Sequence, residues 1–511
     1  MPSPHESLPS GADAGGPPQP LPRRRGGPRV QPGYRAIALI VASAMFMEQL
    51  DATVLSTALP AMARDFGVTA PHMSIALTSY LLSLAVFIPG SGWAADRFGS
   101  RTVFRAAIAV FTLGSLLCAQ AESLGFLVLA RLLQGMGGAM MIPVGRLVLL
   151  RSTSKSDLVS AMSWLLVPAM IGPMVGPPVG GFLVTYLDWR WIFYINVPIG
   201  VLGLVLVSLF IADSRAERPG RFDGLGLVLS GISLGGLLFA FELSSRGEGD
   251  ARVTYGLMAA GLLSGFAYLR HARSLAAAGG QPILDMSLMR IETFRLSVIG
   301  GNITRITQGA QPFLIPLMLQ LGFGMSAAQA GMITLSTAVG SLLMKGVAPK
   351  VLRRFGFRNT LLVNGIICTA TYALCALMRP SWPDWALYML LIGAGFFMSL
   401  QFTAYNTVAY DEVPAARMSA ASSFYTTFQQ LMLSMGICVA GLALQLSMEA
   451  NGRSVAGLAD FSVAFVTVTT IAMAATFWNA RLPHDAGADI SGHRRRRSLA
   501  AAVNEATDAP D

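Results

Sequence analysis

AIALIVASAMFMEQLDATVLSTA, residues 36–58, contains no lysine or arginine and only two acids. As a helix rising about 1.5 Å per residue, such a run is about 34 Å long, enough to cross a hydrocarbon core of about 30 Å. In lipid a backbone must bond to itself, and a run this long and uniformly apolar is a helix, not a barrel strand. Glu48 and Asp51 stand three residues apart within it, on one helix face. Thr53 and Ala58-Leu59-Pro60 follow. Acids inside a span are costly and mark function by default; the plainer alternative is a rim acid that reaches water.

Comparable apolar runs occupy 73–95, 102–121, 124–148, 160–185, 191–212, 224–243, 253–270, 296–320, 327–347, 359–378, 385–409, 418–447 and 461–480. With the first they make fourteen spans of an all-α polytopic membrane protein. The 511 residues agree: 53% are hydrophobic and 13% charged, against about 25% charged in soluble proteins. That excludes an ordinary soluble enzyme and a disordered scaffold. The sequence has no Gly-x-x-x-x-Gly-Lys loop, so neither an enzyme of that type nor an ATP-driven pump is expected. Cys118, Cys368, Cys375 and Cys438 lie in apolar runs and read as small fillers. The five histidines are scattered, and no metal site or cofactor is expected.

Charge sets the orientation. With the N-terminus in the cytoplasm, 29 of the 37 Lys and Arg residues fall on the inner side and 6 on the outer, with Arg131 and Arg305 inside spans. Such a bias places both termini in the cytoplasm of the inner membrane. It also accounts for the +10 net charge without nucleic acid. Residues 1–34, with Arg23-Arg24-Arg25, and 481–511, with Arg494 to Arg497, read as disordered tails that touch anionic membrane lipid.

Between the second and third spans lies Gly92-Trp93-Ala94-Ala95-Asp96-Arg97-Phe98-Gly99-Ser100-Arg101. Its glycines permit a tight turn and close helix approach. Asp96 can pair with Arg97 or Arg101, or cap a neighbouring helix, as a gate latch made in one conformation and broken in another; a well-capped turn is the alternative. The fourth span carries Arg131 to Gly138 with Gln134. The fifth carries Gly172-Pro173, Gly176-Pro177-Pro178 and Gly180-Gly181, a composition that bends and packs closely. Trp189 to Pro198 then reads as an interfacial aromatic belt.

These motifs, in this order, resemble the major facilitator superfamily, and within it the fourteen-helix drug:proton antiporters of the EmrB/QacA type. Gly137 to Met141, Pro143 to Arg146, and Arg305-Ile306 with Pro312-Phe313 are similar to the MdtD-like branch. The resemblance implies a major facilitator fold: a six-helix bundle over 35–213, an inserted helix pair over 214–273, and a second six-helix bundle over 274–480. It implies export of small molecules driven by proton influx, by a monomer with or without accessory export proteins. One departure is plain. In the second bundle's equivalent loop, Pro349 to Arg358, Arg353 stands where Asp96 stands in the first, which assigns the gate chemistry to the first bundle.

Counting from span ends, Asp51 lies about 13 Å deep and Arg131 about 10 Å, in one layer with Glu48 and Gln134. Arg131 can then neutralise Asp51, and a proton on Asp51 or Glu48 releases the pair. Arg305 lies near the midplane, where transporter sites are found, flanked by Asn302 and Gln308. With Gln134 they are the candidate substrate cavity. An arginine there suits an organic anion or a metal–carboxylate complex, unless it only braces a helix end. Lys345 reads as a residue that snorkels from its span to the interface.

Overall fold

The structure is a computed structural model, described for residues 33–153, 158–213, 221–246, 251–414 and 417–491. Each run expected to span is occupied by helix, with a few end residues, such as 120–121 and 211–212, lying beyond it. Their order is α1 (Tyr34–Phe66), α2 (Ser74–Phe98), α3 (Ser100–Ala119), α4 (Leu124–Ser152), α5 (Leu158–Tyr186), α6 (Trp191–Phe210), α7 (Gly224–Arg246) and α8 (Ala251–Ala277). There follow α9 (Glu292–Leu317), α10 (327–355), α11 (357–374), α12 (Asp384–Val408), α13 (Met418–Ala450) and α14 (Leu458–Ala480). Ten helical segments are long and apolar enough by themselves to cross a membrane. The segment Ala327–Leu377 holds both α10 and α11. α5, α8 and α9 are not among the ten; α9 buries its polar residues inside the protein.

Three boundaries differ from expectation. α1 does not stop near Pro60 but runs through it to Phe66, so Asp51 lies about 22 Å from that end. α10 and α11 meet without a loop at Gly356, whose φ of 73° turns the chain in one residue. Gly99, with φ 95°, does the same between α2 and α3, and only glycine takes such a φ without strain. Finally, residues 481–491 are placed and not disordered: Leu482 is buried, and the Gly487 N–H donates to Oδ2 of Asp411 at 2.7 Å. Arg23 to Arg25 and Arg494 to Arg497 lie outside the described residues.

α1 to α6 pack as one group, through α1 against α4, α5 and α6, α2 against α4, and α3 against α4 and α6. α9 to α14 pack as a second, through α9 on α13 and α14 and through α12 on the α10–α11 unit. α7 and α8 form a hairpin, and α7 touches both α2 and α13. The end carrying Asp96 and Arg353 is termed the basic face, and the opposite end the far face. One hydrophobic core, from Leu50 and Val54 to Phe313, Ile333 and Ile437, is shared by both groups and lies toward the far face. Toward the basic face the cores are separate: Phe104 and Met141 belong to the first, Phe294 and Phe357 to the second. The two groups are therefore joined at the far face.

Candidate coupling site, gate and cavity

α1 and α4 cross where Asp51 meets Arg131. The Arg131 Nη1 donates to Oδ2 of Asp51 at 2.7 Å, and the two residues are 0% and 3% exposed. The other carboxylate oxygen, Oδ1, accepts from Gln134 Nε2 at 2.8 Å and from Asn196 Nδ2 at 2.9 Å. Arg131 also donates through Nε to the Ala76 carbonyl at 3.0 Å and through Nη1 to Gln134 Oε1 at 2.7 Å. Its guanidinium lies over the Tyr80 ring, 4.5 Å from the centroid. A buried ion pair is tolerable only when its remaining hydrogen-bonding capacity is met; here Arg131 Nη2 is left without a partner. The neighbouring Tyr80 hydroxyl and one oxygen of the buried Glu48, one turn away on α1, lack partners too. The cluster holds one ion pair, a second carboxylate and spare polar atoms, all buried.

Gln134, expected in the substrate cavity, is fully buried within this cluster instead. Position along α4 was read correctly, but its rotation turns Gln134 toward Asp51. The expected aromatic belt is also partly internal: Trp189 and Phe193 are buried, Trp189 donates to Asp65 at 2.6 Å, and Asn196 reaches Asp51. Trp191 alone of these stays well exposed. Asn196 and Ser115, bonded to each other at 3.0 Å, were not singled out from sequence. A buried Asn in an apolar run was the available signal.

At the basic face, Asp96 pairs with neither Arg97 nor Arg101 but with Arg151 at the end of α4, 2.6 Å away. Arg97 is exposed, and Arg101 donates to the Ser208 carbonyl of α6. Gly99 provides the turn, with Asp213 packed where a side chain would stand. Gly92 faces open space, so no close approach depends on it. Trp93 stacks on Phe222 ahead of α7, with centroids 4.3 Å apart.

α5 is one continuous helix through Pro168, Pro173, Pro177 and Pro178. Its glycines face two neighbours. A Cβ on Gly172, Gly176 or Gly180 would strike α1 at Gln49, Thr53 or Thr57. Gly181 abuts Ala327 of α10, while Gly331 of α10 abuts Pro177, backbone against backbone. This is one seam between the two groups, strengthened where Gln320 Nε2 donates to the Thr57 carbonyl at 3.1 Å; the other is α2 against α13, where Ser434 Oγ donates to the Thr78 carbonyl at 3.4 Å.

In the second group, Arg305 is 3% exposed. It donates to Asn406 Oδ1 at 3.0 Å, the Tyr425 hydroxyl at 3.2 Å and Gln308 Oε1 at 3.3 Å, and lies 4.4 Å from the Phe402 centroid. Asn302 is buried but is not among these partners. Among the described residues, every partner of Arg305 is neutral, and Nε has none. Arg146 is exposed near the basic-face end of α4. Sequence reading passed over a further acid, Glu242 of α7. Buried, it accepts from Ser74 Oγ at 2.9 Å and Cys438 Sγ at 3.1 Å. Cys438 is thus more than a filler.

Comparison with known proteins agrees with this geometry. The sequence profile described as the Major Facilitator Superfamily matches residues 41–437. The chain is 35% identical over 466 residues to a putative multidrug resistance protein MdtD of Enterobacter sp. (strain 638), covering 90% of this chain and 97% of that one. The like-named protein of Escherichia coli (strain K12) is 36% identical over 465 residues, with the same coverage. The crystal structure of the POT family transporter PepTSo superposes with a TM-score of 0.67 at 14% identity, covering 88% of this chain and 97% of that one. At that identity the likeness shows the fold.

Proposed function

The chain belongs to the major facilitator superfamily, and on that premise we propose that it is a proton-coupled antiporter exporting drug-like or toxic small molecules across the cytoplasmic membrane. The basic face is the cytoplasmic one, by the bias of Lys and Arg toward it. The two six-helix bundles, 35–213 and 274–480, rock about the α5–α10 and α2–α13 seams, and the structure is then the inward-facing state. The chain works as a monomer without a bound cofactor.

The observation that carries this reading is the sealed Asp51–Arg131 pair. In this state Arg131 compensates the carboxylate. When the far face opens, water and a proton reach Asp51. A neutral Asp51 no longer holds Arg131, and a carboxyl in a dry site favours its neutral form. The bundles then close over the proton, which leaves toward the cytoplasm when Arg131 reclaims Asp51. Glu48 extends the path by one turn toward the basic face. One charge crossing about 100 mV releases about 2.3 kcal/mol, sufficient for a gradient of roughly fiftyfold.

Arg305 supports a second reading of the cargo. A buried guanidinium with neutral partners and an unused N–H suits an organic anion, or a metal–carboxylate complex, better than a lipophilic cation. Both cargo classes are tested in proteoliposomes with a pH-sensitive dye inside, using ethidium as cation and fluorescein as anion. Cargo-dependent proton movement that a protonophore abolishes is the expected result. Transport of either dye that ignores both the pH gradient and the membrane potential overturns the antiport.

A further inference from the structure

Between α9 and α12 two stripes of side chains meet. Gly301, Arg305 and Gln308 stand at i, i+4 and i+7 on α9, and Met398, Phe402 and Tyr405 at the same spacing on α12. Residues so spaced share one helix face. With Thr304 they line a cavity of about 10 Å³, room for a body the size of one water. Gly301 keeps it open: a Cβ there would stand 3.3 Å from the Tyr405 ring and 3.4 Å from the Tyr425 hydroxyl.

Counting protons shows what the walls offer. A guanidinium only donates. Arg305 directs Nη2 to Asn406 and Tyr425 and Nη1 to Gln308, and its buried Nε–H has no partner. Gln308 must turn its oxygen to Arg305, so its NH2 is a second donor on the cavity wall. The hydroxyl protons are committed elsewhere. Thr304 donates to the Gly300 carbonyl at 3.0 Å, and Tyr405 donates to Oδ1 of Asn479 in α14 at 2.5 Å. No lining residue is acidic. The walls therefore present a positive charge and N–H donors, at a depth where an uncompensated charge costs several kcal/mol. A water would satisfy the N–H and leave the charge. An anion answers both, and the volume limits it to a monatomic one. An organic carboxylate, with its carbon skeleton, enters only when α9 and α12 have parted.

We propose that this cavity binds a small inorganic anion such as chloride, held by the Arg305 Nε–H and the Gln308 NH2. The flexible Met398 thioether yields to the radius of the ion. The anion is the counter-ion of Arg305 while no cargo is seated there. With it in place the site is neutral and does not repel a lipophilic cation; an anionic cargo displaces it. One arginine can then serve both cargo classes. That consequence rests on the cargo reading above, and the binding does not.

The test is chloride binding by the purified full-length protein. It is read directly with radioactive chloride, and by thermal unfolding as sodium gluconate, too bulky for the cavity, is exchanged for sodium chloride at constant ionic strength. The parent should bind chloride saturably, with a rise in unfolding temperature of about 2 °C. Arg305→Gln should weaken binding roughly tenfold or more, the worth of a hydrogen bond from a charged donor, and lose the rise. Gly301→Ala keeps the guanidinium and narrows the cavity; it too should weaken binding, which separates loss of the site from misfolding around a missing arginine. A parent that binds no chloride and unfolds alike in both salts overturns the proposal, and the cavity then holds water. Chloride bound equally by the parent and either variant also overturns it, in favour of cations elsewhere on the protein. Transport is not read, so this proposal and the antiport fail separately.

Discussion

Asp51→Asn removes one charge and nearly preserves shape, and the structure says where the cost arises. Oδ1 already accepts from Gln134 and Asn196. An asparagine must keep its oxygen there, which turns its NH2 toward Arg131 Nη1, at the 2.7 Å now spanned by the ion pair. Donor then faces donor, and a guanidinium that is 0% exposed is left without a counter-charge. Breaking a buried pair from one side costs about 3–5 kcal/mol. The Ala76 carbonyl, Gln134 and the Tyr80 ring still hold Arg131, which places the variant near the lower figure, about 3 kcal/mol. Arg131→Met added to Asp51→Asn removes the stranded charge and should recover most of that loss. Coupling should not recover, because neither residue titrates. The assay is paired: thermal unfolding in detergent, and proton-driven dye efflux in liposomes for the same preparations. Asp51→Asn with parental stability and parental efflux refutes the reasoning. So does a double variant that regains efflux along with stability.

Asp96→Asn should lower turnover more than cargo binding, since the Asp96–Arg151 pair biases conformations without touching cargo; equal initial rates of parent and variant in liposomes count against a latch. Arg305→Gln should lose the anionic dye and keep the cationic one, while Arg305→Lys should weaken the anion by losing the fork geometry; loss of both dyes alike in a folded protein makes Arg305 structural. Between α8 and α9, burial raises the Asp285 carboxyl, but Ser287 and Arg417 outweigh it and hold it below its usual value. The stability this gives is present above the unfolded value of about 3.9 and fades as pH falls through the lower folded one. Asp285→Asn should therefore be less stable than the parent at neutral pH and converge with it in acid, by thermal unfolding; a constant gap across pH removes the charge argument.

The fold was legible because lipid leaves the backbone so few choices: each span must announce itself as an apolar run, and every run proved helical. Depth was legible only in relative terms: rise per residue is fixed, but the end of α1 was misjudged. Asp51 and Arg131 were placed in one layer from sequence and are bonded in the structure, although α1 runs past Pro60. Rotation about the helix axis was not legible. An apolar face turned to lipid and one turned to protein look alike in a membrane sequence. Gln134 was therefore assigned to the cavity and Trp189 to the interface, and Asn196 was overlooked. Partners distant in the chain were hidden for the same reason, as with Arg151 for Asp96. Glu242, an acid at the end of an apolar run, was visible and went unweighed.

The carboxylate of Glu242 accepts from Ser74 of α2 and from Cys438 of α13, the two helices that part at the far face if the bundles rock as proposed above. It cannot follow both. A hydroxyl is the stronger donor and a thiol a weak one, so on that proposal the Cys438 bond is the one expected to break. The expected consequence of each opening is a Cys438 sulfur freed from the carboxylate and reached by water. The chain would thereby carry its own chemical clock: the rate at which a small thiol reagent labels Cys438 is expected to track how often the outer door opens, with no cysteine introduced.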